Sequence, residues 1–206
     1  MSIFITIAGP QSSGKTTAIN FLRKKHDSWY FVDPIDPYTV ASKNHRGGIY
    51  ADKNLQINMM EIELIKIRNL EKKYNPVFVI ESGIFRLVYA NYYYNKKLAV
   101  EYQPRYMRLY NELNPYVIFI NTPPEVSFVR RKERYVERIM RSGINDNVKF
   151  QKELEKYKKT IYKLYPHWQK FYQKIPYPKT VIENSKLEEH EFIKKIDRTI
   201  SSLLDR

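Results

Sequence analysis

Near its start the chain reads Gly9-Pro-Gln-Ser-Ser-Gly14-Lys15-Thr16-Thr17. Two glycines five apart, then Lys and a hydroxyl residue, match G-x-x-x-x-G-K-[ST], a loop suited to phosphate. The backbone N–H groups of such a loop, here those of Gln11, Ser12 and Ser13 among others, converge on an anion. A helix starting at the loop adds partial positive charge. Gly9 and Gly14 permit close backbone approach. Lys15 can neutralise the β- and γ-phosphates of ATP, the Thr16 hydroxyl can ligate Mg²⁺, and Thr17 is placed to bond the α-phosphate.

Two carboxylates stand where a strand pattern ends. Glu81 closes the run Val77–Glu81 and can hold Mg²⁺ directly or through water. Asp33 closes Trp29–Asp33, and Asp36 follows it. Either Asp could accept the proton of an attacking hydroxyl or bind an acceptor's sugar, and Asp-Pro also opens turns. Further on, Arg130, Arg131, Arg134, Arg138 and Arg141 crowd twelve positions. Arg130, Arg134 and Arg138 share one helix face, where like charges repel by a few tenths of a kcal/mol per pair. An anion would offset that repulsion, and guanidinium groups suit charge developing on a transferring phosphoryl group.

These residues need a scaffold, and the pattern supplies one. Ile3–Ala8, Trp29–Asp33, Val77–Glu81, Tyr116–Ile120 and Thr180–Glu183 read as short apolar strands. Helical patterns separate them over Ala18–Lys25, Lys53–Tyr74, Ile84–Tyr94, Pro104–Leu113, Lys149–Lys174 and Leu187–Leu204. The spacing of Leu55, Met59, Ile62 and Ile65 predicts the buried stripe of the second helix. Thr122-Pro123-Pro124-Glu125 is a helix start. Pro166 is expected to interrupt the long helix, and Pro34 to Asp52 reads as a loop. Strands alternating with helices imply an α/β fold, a parallel sheet with helices on both faces and ligands at the carboxyl ends of the strands.

Composition agrees. The 206 residues carry 36 Lys+Arg against 22 Asp+Glu, a net +14, so anionic partners are expected. There is no Cys, which excludes disulfides and thiolate chemistry, and the four His lack metal-ligand spacing. No apolar run approaches membrane-spanning length, and no signal-peptide pattern opens the chain. The expectation is a cytoplasmic protein of one domain, residues 1–206, without a membrane or nucleic-acid partner.

The chain resembles the P-loop nucleoside and nucleotide kinases, most closely the thymidylate kinase and deoxynucleoside kinase branch. The resemblance spans nearly the whole length. It rests on GPQSSGKTT at 9–17, VFVIES at 77–82, NPYVIFINTPPEVSFVRRKER at 114–134 and TVIENSKLEEHEFIKKI at 180–196. It implies a three-layer fold with a five-stranded parallel sheet, an Arg-bearing lid over about 130–147, and a homodimer. It also implies ATP with Mg²⁺, with Asn184, Ser185 and Lys186 near the adenine. Asp33-Pro34 would lie beside the acceptor. Where the branch carries Asp-Arg-Tyr or Glu-Arg-Ser after the third strand, this chain has Glu81-Ser82-Gly83, and Arg86 is the candidate replacement. If the acceptor is a monophosphate, Arg46, Arg68 or Arg86 would hold its phosphate. Phe85, Tyr89 and Tyr92 could stack on a base or belong to the core. The leading expectation is therefore a thymidylate kinase-like enzyme converting dTMP to dTDP, with Lys15, Asp33, Arg130 and Arg134 as catalytic groups. The alternatives are a deoxynucleoside kinase and a nucleic-acid-associated NTPase.

Overall fold

The computed structural model describes residues 2–35, 53–93, 96–141, 143–144, 146–186 and 188–205, apart from the side chains of residues 71, 138 and 141. Five strands form one sheet: β1 (Ile3–Ala8), β2 (Tyr30–Val32), β3 (Val77–Glu81), β4 (Tyr116–Asn121) and β5 (Lys179–Glu183). Their order is β2-β3-β1-β4-β5, and every pairing is parallel. Register sets Ile7 beside Glu81 and Ala8 beside Phe119, so the strands end together along one edge. Parallel strands buried on both faces need apolar residues at nearly every position, and β3 is buried throughout.

Seven helices cover the sheet among the described residues: α1 (Lys15–Lys25), α2 (Lys53–Arg68), α3 (Arg86–Tyr93), α4 (Lys97–Leu113), α5 (Pro124–Arg141), α6 (Asn147–Lys174) and α7 (Glu189–Leu204). One core layer joins Ile5, Ile7, Ile118 and Ile120 to α1 and α7 through Ala18, Leu22, Phe192 and Ile196. The other joins Phe78, Ile80, Val117 and Phe119 to α2, α3, α4 and α6 through Met60, Leu87, Tyr106 and Trp168. Alternation along β1 and β3 thus feeds two cores, giving the expected three layers. No helix among the described residues is long and apolar enough to cross a membrane.

Three expectations change. The buried stripe of α2 is Leu55, Gln56, Met59, Met60, Glu63, Leu64 and Ile67, whereas Ile62 and Ile65 are 37% and 55% exposed. Two polar residues, Gln56 and Glu63, sit on the inner face, which rotates the stripe away from the purely apolar reading. Pro166 does not interrupt α6, which runs unbroken through it. A proline removes one backbone hydrogen bond, and here Leu164 and Trp168 anchor both sides of it in the core. Helix α4 begins at Lys97 rather than Pro104, because Leu98, Ala99 and Tyr102 bury the turns before that proline.

Candidate active site

A cleft of about 560 Å³ opens at the carboxyl edge of the sheet. The loop between β1 and α1 forms its floor, and Gln11 through Thr17 line it. Only glycine suits two of these positions. At Gly9 (φ +154°) a Cβ would strike the Ile120 carbonyl oxygen, and at Gly14 (φ +102°) it would come 2.9 Å from Asn184 Nδ2. Asn184 Nδ2 donates to the Ser13 carbonyl at 2.8 Å, so the turn after β5 braces the loop. The Ser13 hydroxyl oxygen is buried with no hydrogen-bond partner. Lys15 Nζ donates to the Gly9 and Pro10 carbonyls at 3.0 and 2.8 Å. Burial lowers the Lys15 pKa to about 8, against the opposing pull of Glu81. An orphaned hydroxyl and a desolvated ammonium at a helix N-terminus fit a polyphosphate, which would satisfy both.

Glu81 stands across from Lys15 at the end of β3 and is 8% exposed. Desolvation raises its pKa, and Lys15 only partly counters this. Glu81 and Thr16 both line the cleft, and a buried, undercompensated carboxylate with a hydroxyl is a hard-oxygen donor set suited to Mg²⁺. No cluster of three or more His, Cys, Asp or Glu able to hold a metal occurs among the described residues. Two protein donors suit an ion that takes its remaining ligands from phosphate and water.

The roof is α5. Arg130, Arg131 and Arg134 all line the cleft. Arg130 Nη2 reaches Asn184 Oδ1 at 3.4 Å. Arg131 is the innermost: its Nε is buried without a hydrogen-bond partner, and its charge helps lower the pKa of Lys15. The four-residue spacing had set Arg130 and Arg134 apart from it. Tertiary placement gives Arg131 the orphaned donor.

At the far end, Ile35, Met59, Tyr89 and Trp168 provide apolar walls, with Arg86 among them. Arg86 opens α3 and is 5% exposed. Its Nε donates to Glu63 Oε2 at 2.6 Å, and the Tyr106 hydroxyl donates to the same oxygen at 2.8 Å. The intervening turn is tightly built. Tyr110 Oη accepts hydrogen bonds from the Ile84 N–H (3.1 Å) and the Thr6 hydroxyl (3.2 Å), and it presses on Gly83, whose φ is +47°.

Other residues singled out in the sequence lie elsewhere. The Asp33 side chain is exposed and ion-paired with Arg23, so Pro34 and Ile35 line the cleft in its stead. Phe85 belongs to the core, stacked between Phe119 and Trp168. Tyr89 lines the cleft and Tyr92 does not. Arg68 is exposed near the end of α2, outside the cleft lining, and Ser185 is half-buried beside Asn184. Asp36, Arg46 and the side chains of Arg138 and Arg141 lie outside the described residues. Sequence reading missed Glu63, Trp168, Tyr135 and Gln56. The last is fully buried, and its Oε1 has no partner. The signal was present at Gln56 and Glu63: polar residues seven apart, in register with the buried Met59 and Met60.

A deoxynucleoside kinase family model matches residues 5–205. The chain belongs to the deoxynucleoside kinase family. As a member it is a nucleoside kinase, a phosphotransferase. This moves the acceptor away from the thymidylate-directed expectation and toward the nucleoside alternative. No curated protein sequence matches it closely enough to rank as a relative. Among solved structures it is similar to deoxyadenosine kinase from M. mycoides with bound dATP. The identity is 18%, the match covers 97% of this chain and 99% of that one, and the TM-score is 0.59. The same enzyme with products dCMP and a flexible dCDP bound gives 16%, 97%, 100% and 0.56. At that identity the likeness shows a common fold.

Proposed function

We propose that the protein transfers the γ-phosphoryl group of ATP to a hydroxyl of a deoxynucleoside, with residues 1–206 acting as one catalytic domain. The observation that carries this reading is the buried Glu63–Arg86 pair. An acceptor phosphate needs a cation whose charge is available. Arg86 is the arginine at the acceptor end of the cleft among the described residues, and a carboxylate 2.6 Å away already neutralises it. An uncharged acceptor costs nothing there, whereas a monophosphate would be desolvated without compensation.

In this mechanism the acceptor oxygen attacks the γ-phosphorus and the bond to the bridging β,γ-oxygen breaks, releasing ADP. Catalysis is positioning and charge stabilisation. The loop N–H groups and the Ser13 hydroxyl hold the phosphates, while Lys15 and Arg131 face the charge that develops. Thr16 and Glu81 would hold Mg²⁺, which would supply positive charge to offset that of the phosphates. Asp33 lies outside the cleft lining but within electrostatic reach of Glu81, and it would take the acceptor proton only by exchanging Arg23 for the acceptor hydroxyl. Tyr89, Trp168 and Met59, which line the cleft, flank the base.

The test is coupled ADP release across deoxynucleosides and their monophosphates, with Lys15→Ala as control. Turnover with at least one deoxynucleoside, none with its monophosphate, and loss of nearly all turnover in the control are expected. A preference for monophosphates would overturn the reading.

A further inference from the structure

The roof helix α5 is tied to the phosphate loop at its middle, and the tie is a tyrosine. Tyr135 is 3% exposed. Its hydroxyl donates to Gln11 Oε1 at 2.9 Å. One face of its ring stacks on Tyr157 of α6, centroid to centroid 4.3 Å at 14°. The guanidinium of Arg131, one turn earlier, lies 5.6 Å from the ring centroid. The Ser127 hydroxyl adds a second tie, donating to the Gln11 carbonyl. The side chain therefore touches two other elements, the loop that would hold phosphate and the long helix behind it, and on its own helix the arginine whose Nε is buried unpaired at the cleft. A free arginine side chain samples many rotamers. A stacked aromatic face restricts those rotamers before any ligand arrives.

We infer that Tyr135 is a positioning residue: its ring fixes the Arg131 guanidinium, and its hydroxyl sets α5 over Gln11, so that Arg131 faces the transferring phosphoryl group. The inference rests on the kinase reading above. It also assigns Gln11 a second duty, since its side-chain oxygen serves the roof while its backbone belongs to the loop.

A double-mutant cycle tests it. Loss of a phosphoryl-directed arginine costs about 10³-fold or more in kcat. Misplacing one by about 1 Å costs about 10²-fold. Tyr135→Leu is therefore expected to lower kcat about 100-fold and Arg131→Ala about 1,000-fold. The double variant should be no slower than Arg131→Ala alone, within about twofold, because Tyr135 acts through Arg131. KM for the nucleoside should not move in any variant. Tyr135→Phe keeps the ring and its packing. It should cost about fivefold, the size of one hydrogen bond, and nothing further in the Arg131→Ala background. If Tyr135→Leu does not fold, the Phe variant decides the cycle by itself. Additive losses in the two backgrounds, or an altered nucleoside KM, overturn the inference while leaving the kinase reading intact. A wild-type protein that releases no ADP with any deoxynucleoside fails the kinase reading first, and this inference with it.

Discussion

Gly83→Ala is the most telling small change available in this molecule. The glycine sits in the turn that carries the chain from Glu81 to Arg86, at φ +47°. Three costs can be worked out. An alanine in left-handed backbone costs about 1–2 kcal/mol. Its Cβ would fall within the van der Waals envelope of Tyr110 Oη, and it would approach Tyr110 Cζ and Ile80 Cγ2 at 3.1 Å each. Tyr110 is fully buried, so moving it is overpacking, about 1–3 kcal/mol. Displacing its hydroxyl also strands the Ile84 N–H and the Thr6 hydroxyl, at about 1–3 kcal/mol for a buried donor. A loss of roughly 4 kcal/mol is expected, a large part of the stability of an ordinary domain. Tyr110→Phe alone should cost about 2 kcal/mol, since it leaves the same donors unpaired. The double variant should cost less than the sum by about 2 kcal/mol, because the new methyl fills the space the hydroxyl left. Urea unfolding at 25 °C, followed by circular dichroism, measures all three. Additivity within about 0.5 kcal/mol, or a Gly83→Ala cost below about 1 kcal/mol, would refute the packing argument.

Two further outcomes follow from the buried charges. Lys15 in the free protein titrates near 8, and a bound polyphosphate favours its charged form. At pH 8.5 ATP binding should therefore take up most of one proton, and affinity should fall as pH rises from about 8. Calorimetry in buffers of different ionisation enthalpy reads this, and equal heats in both buffers would count against it. The sign also applies to folding. Between about 8 and 10.5 the unfolded chain holds the Lys15 proton that the folded chain has released, so this group's contribution to stability increases with pH there. Glu63→Gln should lower stability by about 3 kcal/mol, because it removes the carboxylate charge 2.6 Å from the buried Arg86 guanidinium. The same change should strengthen inhibition by deoxynucleoside monophosphates relative to nucleosides, and an unchanged ratio would remove the electrostatic argument for a neutral acceptor.

The parts of this protein that depend on neighbours in the chain were legible in its sequence. The phosphate loop is one contiguous turn, and its glycines, lysine and threonine answer to local backbone geometry and a helix end. The strands are short β-branched runs that a two-sided parallel sheet requires, and Glu81 falls at a strand end by counting. Tertiary structure alone decided which charges meet. Glu63 and Arg86 are 23 residues apart, Glu63 and Tyr106 are 43 apart, and Gln11 and Tyr135 are 124 apart. In a sequence a charged residue reads as solvent-facing, because burying one alone is costly. Only a partner brought in from another element makes burial tolerable, and that partner is invisible until the helices pack. The same logic turned Asp33 outward to Arg23, since an exposed pair there satisfies its carboxylate, and it chose Arg131 among the three α5 arginines that line the cleft by the direction in which α5 meets the loop.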